Sequence, residues 1–177
     1  MNGIEVRPET PADHVAIRRV VRDAFPGPEE AQLVDALRAS EVYRPELALV
    51  ATVDGEVVGH VMVTRAALVD GERRRTVALL APLAVAPDHQ RRGVGAALLA
   101  EVARRAAASG EPAIVLEGDP GYYGRHGYEP AARYGIEMPL PSWAPLEAAQ
   151  VRWLGDPDPS LRGRVVYPPP FDDLPES

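Results

Sequence analysis

Two arginines and two glycines stand close together in the middle of the chain. Arg91 and Arg92 precede Gly93, and Gly95 follows two positions after Gly93. The first amides of a helix have no partner inside the helix, and with the helix dipole they form an anion site. Because glycine has no side chain, a ligand approaches its backbone closely. The pattern predicts a phosphate-binding helix start. A tight turn with solvated arginines is the alternative, since short glycine motifs often match by chance.

A proline interrupts the strand before this loop. Pro82 lies inside the apolar segment Val77–Val85, where a central strand would need every backbone N–H. A bulge, or a pairing that ends at Pro82, explains it. The strand residues beyond it would then offer free backbone donors and acceptors to an extended ligand that carries amides. An edge strand explains the proline equally well.

A dinucleotide-binding fold is a second interpretation of the glycines. Gly93 and Gly95 precede a helix, and Glu117 ends the next strand, where a ribose-binding acid would stand. Three features oppose it. Leu98 stands where the third glycine of that motif would be, and the loop Pro87–Arg92 separates the strand from the glycines. The upstream strands are joined by hairpins and are therefore antiparallel, whereas that fold needs parallel strands.

The elements that must position the loop are predicted from periodicity and turn residues. Asp54-Gly55 and Asp70-Gly71 are hairpin turns, so the strands they join are antiparallel. The order is β-α-α-β-β-β-α-β-α-β, an α+β class with a mostly antiparallel sheet. We expect strands at Ile4–Val6, Leu47–Val53, Val57–Val63, Thr76–Val85 and Ile114–Glu117, and helices after Thr10-Pro11-Ala12-Asp13, from Glu29, at 93–109 and at 119–126.

The C-terminal part has a different composition. Nine of the 19 prolines fall in residues 139–177, which makes long helices improbable there. Short strands are predicted around Val151–Leu154 and Arg164–Tyr167. We therefore expect one domain with a core at 1–138, proline-rich strands at 139–167 that complete it, and a loosely held tail at 168–177.

Composition excludes several classes of protein. The chain has 177 residues, no cysteine and a net charge of −7. The lack of cysteine excludes disulfides, zinc–thiolate sites and a cysteine nucleophile. The acidic balance argues against nucleic-acid partners. The longest apolar run, Val77–Ala86, is too short for a membrane span, and residues 1–13 do not resemble a signal peptide, so the expected location is the cytoplasm. His14, His60 and His89 have no metal-ligand spacing, and no metal is predicted.

Two ordered motifs resemble the GNAT superfamily of N-acetyltransferases. Gln90–Ala96 is similar to its acetyl-CoA signature, and Tyr123–Tyr128 resembles its later block, a tyrosine followed four residues on by glycine and an aromatic residue. The segments Pro82–Val85 and Gly118–Tyr123 resemble bacterial predicted acetyltransferases of the YhbS type. The resemblance covers about residues 3–138 and implies a GNAT fold with a mixed, mostly antiparallel sheet flanked by helices.

The resemblance implies acetyl-CoA as cosubstrate and a direct transfer to an amine. The strand before the loop would pair with the pantetheine arm, and the loop amides would hold the pyrophosphate. The strand residues are Leu83, Ala84 and Val85, and the loop residues are Arg91, Arg92, Gly93, Val94, Gly95 and Ala96. The partner would be a small-molecule or peptide amine, with no nucleic acid and no membrane, and the protein a monomer or homodimer.

The resemblance also implies catalytic roles. A backbone amide at Val85 or a neighbour would stabilise the oxyanion, and Tyr123 would be the general acid for the departing thiolate. Tyr122 is the adjacent competitor. A buried aromatic residue with a bonded hydroxyl is the alternative for Tyr123.

The sequence does not identify a clear candidate for the general base. Val77–Val85 contains no acidic residue, where many relatives have one. Glu117 and Asp119 are the nearest acidic candidates in sequence, and capping of the helix near Asp119 is the favoured alternative for either. The missing strand carboxylate also supports a rival of another class, a non-catalytic acyl-CoA-binding or regulatory module.

Overall fold

A computed structural model describes residues 3–174. The chain divides into two compact units. Two long strands each contribute residues to both units. Unit 1 takes in the chain up to Thr64 together with Ala81–Arg105, and unit 2 takes in Arg65–Leu80 together with the chain from Ala106 onwards.

Unit 1 is built on an antiparallel ladder. Strand β1 (Ile4–Pro8) pairs with β2 (Ala48–Val53), which pairs with the first part of β3 (Glu56–Asp70). The predicted turn at Asp54-Gly55 joins β2 to β3, with φ of 51° and 79° at its two residues. The helices of this unit are α1 (His14–Ala24), α2 (Glu29–Arg38) and most of α3 (Val94–Ala108).

Helix α1 begins after Thr10-Pro11-Ala12-Asp13, as predicted. Asp13 Oδ2 accepts a hydrogen bond from the Thr10 amide at 2.8 Å, and a turn of 3-10 helix at Pro11–Asp13 precedes α1. Arg7 holds the same carboxylate from its other side, with Nη1 2.7 Å from Oδ2. This bond lowers the pKa of Asp13, against the opposite effect of burial.

Unit 2 carries the only parallel pairs among the described residues. Strand β4 (Arg73–Val85) pairs in parallel with β5 (Ala113–Glu117), and β5 pairs antiparallel with β8 (Ala149–Trp153). The remaining helix and strands of this unit are α4 (Pro120–Tyr123), β6 (Glu129–Pro130), β7 (Ile136–Glu137) and β9 (Gly163–Val166). Strand β6 pairs antiparallel with β8, and β9 pairs antiparallel with β3. Strand β7 pairs in parallel with β9. The sheet is mixed and mostly antiparallel, as predicted.

The second predicted hairpin is also confirmed. Strands β3 and β4 are hydrogen-bonded neighbours, and Gly71, in the left-handed region at φ 62°, lies in the short turn between them. A connection this short joins only antiparallel strands. Among the described residues, β4 pairs with β5 only at Ala78 and Leu79, so this pairing ends before Pro82 while the strand continues to Val85.

The proline-rich segment supplies strands to unit 2, where the predicted strands at 151–154 and 164–167 are confirmed as β8 and β9 with small shifts of their ends. Of the segment predicted as a tail, residues 168–174 are described and 175–177 lie outside the described residues. Its described part forms a 3-10 turn at Pro169–Asp173, and Phe171 packs against the core of unit 2. The domain boundaries given above stay a prediction.

One buried carboxylate joins three elements of unit 1. Glu9 directly follows β1, and its Oε1 lies 2.8 Å from Nε2 of His60 on β3. Its Oε2 accepts from Nε of Arg38 on α2 at 2.6 Å and from the Tyr43 hydroxyl at 3.0 Å. The side chains of Glu9 and His60 are 1% and 0% exposed. Periodicity places none of these residues together, and in the sequence His60 is only one of several scattered histidines.

The hydrogen-bond partners of Glu9 determine its charge state. Burial alone would raise the pKa of Glu9, but the hydrogen bonds from His60 and Arg38 outweigh it and lower the pKa to about 2. Burial lowers the pKa of His60, so its imidazole is neutral at pH 7. Because the Glu9 carboxylate only accepts, the neutral imidazole donates through Nε2.

Glu9 should make the protein sensitive to acid. The ordinary pKa of a glutamate, 4.5, falls to about 2 for Glu9 in the folded protein, so its stabilising effect is complete above pH 4.5 and is lost as the pH falls towards 2. The shift corresponds to at most about 3 kcal/mol of unfolding free energy. Chemical denaturation of the wild type and of Glu9→Gln at pH 7, 4.5 and 3 measures it. We expect the difference in stability between the two proteins to shrink with falling pH.

The matched control is Glu5→Gln, which changes an exposed carboxylate on the neighbouring strand β1. A difference between wild type and Glu9→Gln that stays constant down to pH 3 would show that the pKa of Glu9 is not lowered in the folded protein.

Candidate active site

At the start of α3, backbone amides have no hydrogen-bond partner among the described residues. The first bond within the helix runs from the Ala97 amide to the Gly93 carbonyl, at 3.0 Å. The amides of Val94, Gly95 and Ala96 therefore precede the first intrahelical bond. The helix runs for 15 residues, long enough to give its N-terminus a positive partial charge. This end of α3 can accept an anion.

The loop before α3 curls through the left-handed region twice. Arg91 has φ 63° and Gly93 has φ 86°. A Cβ on Gly93 would meet only Ile4 Cδ1, at 4.0 Å, so the space beside this glycine is open. Arg91, Arg92 and Gly93 are all exposed, so both guanidinium groups are accessible next to the free amides.

Gln90, the first residue of the signature, has a structural task in this chain. Its Nε2 donates to the Val85 carbonyl at 3.1 Å, which ties the loop to the end of β4. The Ala86 amide donates to the Val58 carbonyl at 2.8 Å, which ties the same point to β3. The loop thus leaves β4 from a fixed position.

A glycine on β3 allows α3 to pack closely. A Cβ on Gly59 would lie 2.7 Å from Val94 Cγ1 and 2.9 Å from Leu98 Cδ1, both shorter than real carbon contacts. Only a residue without a side chain therefore admits the first turns of α3 at this depth. The motifs described above give Gly59 no role, although a glycine inside a strand is a known sign of close backbone approach.

The end of β4 alternates in burial. Ala84 is buried, whereas Leu83 and Val85 are half-buried. Their backbone belongs to unit 1, as does the segment Arg91–Ala96, which includes the loop and the first turn of α3, so the structure places the predicted cofactor residues in one compact unit.

Unit 2 holds the predicted catalytic tyrosine. Tyr123 ends α4, and its ring lies 5.0 Å from that of Tyr122 and 5.6 Å from that of Tyr128, edge-on to both. A Cβ on Gly118 would lie 2.8 Å from Tyr123 Cδ2, so this glycine makes room for the ring. The tyrosine is positioned by packing.

The hydroxyl of Tyr123 has no hydrogen bond with any residue that the structure describes. Burial raises its pKa, and the neighbouring Tyr122 adds to the shift. The Tyr123 hydroxyl is therefore protonated at neutral pH, and its proton is not donated to any described residue. The catalytic role of Tyr123 stays a prediction.

Tyr122 differs from its neighbour in its contacts. Its ring lies 5.0 Å from the His126 ring and 5.6 Å from the Arg125 guanidinium carbon. Burial lowers the pKa of His126, and Arg125 and Arg152 lower it further, so His126 is mainly neutral at pH 7. Arg125 Nε is held by the Gly121 carbonyl at 3.2 Å.

Asp119 and Glu117, the two acidic candidates for the general base, make different contacts. Asp119 Oδ1 accepts from the Gly121 amide at 2.9 Å and so caps α4, as the favoured alternative predicted. Glu117 does not cap. Its Oε2 accepts from the hydroxyl of Tyr167, just beyond β9, a contact that no motif indicated.

Metal clusters and membrane spans were not expected from the sequence. Within residues 3–174, no three histidine or acidic side chains gather as they would around a metal ion. In the same part of the chain, no helix has both the length and the apolar composition needed to cross a membrane.

The comparisons with known proteins identify the family. The profile described as "Acetyltransferase (GNAT) domain" matches residues 5–131. YjhQ of Escherichia coli K12, an uncharacterized N-acetyltransferase, is 37% identical over 133 residues, which are 73% of this chain and 74% of YjhQ. YhbS of the same strain, also an uncharacterized N-acetyltransferase, is 35% identical over 153 residues, 85% of this chain and 87% of YhbS. The chain belongs to the GNAT acetyltransferase family.

Solved structures agree over nearly the whole chain. The crystal structure of E. coli YhbS in complex with CoA has a TM-score of 0.88 at 30% identity and covers 99% of this chain and 96% of that one. A GNAT acetyltransferase of Brucella melitensis in complex with acetyl-CoA has a TM-score of 0.76 at 29% identity, with 97% and 100% covered. The predicted GNAT fold is confirmed.

Proposed function

We propose that this protein transfers the acetyl group of acetyl-CoA directly to a primary amine. The observation that carries the proposal is the start of α3, where free amides meet an open, left-handed glycine loop with two exposed arginines. The complexes of YhbS with CoA and of the Brucella protein with acetyl-CoA support the same cosubstrate.

The cosubstrate would be held by backbone more than by side chains. The amides of Gly93, Val94, Gly95 and Ala96 would donate to the pyrophosphate, and Arg91 and Arg92 would add positive charge beside it. The backbone of Leu83, Ala84 and Val85 would pair with the amides of the pantetheine arm, as one strand pairs with another.

The chemistry needs three groups. The acceptor amine, with an ordinary pKa near 10.4, must lose a proton; the thioester oxygen needs a donor as it becomes an oxyanion; and the departing thiolate needs a proton. A backbone amide at Val85 or a neighbour would serve the oxyanion. Tyr123 would serve the thiolate, because its hydroxyl is protonated and has no partner within the described protein.

A non-catalytic acyl-CoA-binding module is the second candidate, and the lack of an acidic residue in Val77–Val85 favours it. An assay of CoA release separates the two. The panel of acceptors should include a polyamine, an amino acid, an aminoglycoside and a short peptide with a free N-terminus. Acetyl transfer to any of them supports the enzyme. Tight acetyl-CoA binding without transfer to any supports the module.

A carboxylate in the loop should compete with the pyrophosphate. Gly93→Asp places an anion beside the free amides, and we expect its CoA affinity, measured by calorimetry, to fall by about tenfold or more, a loss of at least ~1.4 kcal/mol. The matched control is Gly110→Asp. Gly110 has φ 88° and open space around it, against φ 86° at Gly93, so both variants suffer similar backbone strain. Equal CoA affinity in the two folded variants would remove the loop from the site.

Removing one hydroxyl should slow the transfer. Tyr123→Phe keeps the ring packing against Tyr122 and Tyr128 and removes only the proton donor, so kcat should fall by roughly 10²–10⁴ with little change in CoA affinity. Tyr122→Phe is the control and should change kcat far less. The measurement is turnover with the best acceptor of the panel, beside CoA affinity and melting temperature. Near-normal turnover of Tyr123→Phe would refute the assignment, and a loss confined to Tyr122→Phe would move the role to that residue.

A further inference from the structure

We propose that Glu117 is the general base that takes the proton from the acceptor amine, and that Tyr167, from the C-terminal segment, is the residue that positions it. This inference rests on the proposed acetyl transfer and supplies the group that the β4 strand lacks. Glu117, Tyr167 and the residues that hold them all belong to unit 2.

The backbone beside Glu117 is rigidly held. Glu117 is the last residue of β5 and pairs with Ala149 on β8. The next residue, Gly118, donates its amide to the Ala148 carbonyl at 2.9 Å and accepts from the buried Gln150 side chain at 3.0 Å. The same glycine makes room for the Tyr123 ring. The residue after Glu117 is therefore held by two bonds from β8 and its neighbourhood, and it packs against the ring of the proposed acid.

Glu117 differs electrostatically from the other described carboxylates whose pKa is shifted. Glu9, Asp13, Glu101 and Asp158 have lowered pKa values because arginine, histidine or serine side chains donate to them. No cation among the described residues pairs with Glu117. Burial raises its pKa, although the bond from Tyr167 works in the opposite direction. Part of the side chain faces solvent, so the carboxylate is accessible to a proton donor.

Tyr167 leaves one oxygen of Glu117 free. Its single hydroxyl proton goes to Oε2, so Oε1 retains both lone pairs for the substrate. The Tyr167 ring lies 5.0 Å from the Phe171 ring, and both pack against the core of unit 2. β9, which ends just before Tyr167, is held by pairing with β3 at Ala67–Val69. The proline-rich C-terminal segment thus fixes the rotamer of the carboxylate.

The reaction begins with a proton transfer. The carboxylate of Glu117 takes one proton from the acceptor ammonium, and the free amine attacks the thioester carbonyl carbon to form the C–N bond. The C–S bond then breaks, and Tyr123 protonates the CoA sulfur. The nitrogen gives up its second proton, which restores the Tyr123 hydroxyl, and Glu117 returns its proton to water. The products are the acetamide and CoA.

The pH profile tests the positioning role. Because the base must be ionised, kcat/KM should rise with pH through the pKa of Glu117. Tyr167→Phe removes the only polar contact of Glu117 among the described residues, a donor that lowers this pKa. The acid limb should therefore move to higher pH by about one unit. The matched control is Tyr134→Phe, which breaks an equivalent bond from a tyrosine hydroxyl to Glu129 Oε2, 2.9 Å long, in the same unit.

Glu117→Gln tests the base itself. With the best acceptor of the panel, kcat/KM at pH 7 should fall by roughly 10²–10⁴, and the acid limb should disappear. CoA affinity and melting temperature should stay close to the wild type. A variant that keeps the wild-type rate and acid limb would overturn the assignment of Glu117, and an equal shift in Tyr167→Phe and Tyr134→Phe would overturn that of Tyr167.

A titration without turnover separates this inference from the proposed function. With ¹³C-labelled glutamate side chains, and the Glu117 resonance assigned from Glu117→Gln, NMR reports the carboxyl pKa directly. We expect the Glu117 pKa to be above its ordinary value in the wild type and higher still in Tyr167→Phe. An unchanged pKa in Tyr167→Phe overturns the positioning role whatever the substrate. If the wild type acetylates none of the panel, the proposed function fails and the base with it, even if the Tyr167 contact is confirmed.

Discussion

Close packing at a residue that has no side chain positions the start of α3. Gly59 lets the first turns of α3 approach β3 so closely that any Cβ there would overlap Val94 and Leu98. This contact sets where the free amides of α3 stand, while the bonds of Gln90 and Ala86 set where the loop leaves β4. In unit 2, Gly118 makes room in the same way for the ring of Tyr123. A backbone-based anion site needs such precision, because amides cannot be adjusted by rotating a side chain.

The two glutamates at strand ends show how surroundings decide a role. Glu9 follows β1 and is enclosed by His60, Arg38 and Tyr43; the bonds from His60 and Arg38 lower its pKa, and the three partners commit both of its oxygens. That carboxylate is suited to holding elements together. Glu117 ends β5 with a single neutral donor, and burial raises its pKa. A carboxylate with a raised pKa and a free oxygen is suited to accepting a proton.

The parts of the fold that depend on neighbours in sequence were predictable. The turn at Asp54-Gly55, the cap at Thr10 and Asp13 and the start of α3 all follow from local rules of turn and helix chemistry. Glu117 and Tyr167 are separated by 50 residues, and their contact depends on the register of β9 against β3, which no periodicity reveals. The cluster around Glu9 is hidden for the same reason. The position of Gly59 inside an apolar strand is a sequence feature that indicates close packing. The sequence does not reveal that α3 is the element that packs there.

The most direct test of the central claim is the response of the loop amides to the pyrophosphate. ¹H–¹⁵N NMR spectra should be recorded during titration with CoA and, separately, with pantetheine, which lacks the pyrophosphate. We predict that the amide resonances of 91–96 shift with CoA and stay unchanged with pantetheine, while those of the turn at Asp54-Gly55 shift with neither. Saturable CoA binding that leaves the resonances of 91–96 in place would contradict the claim that these amides hold the cosubstrate.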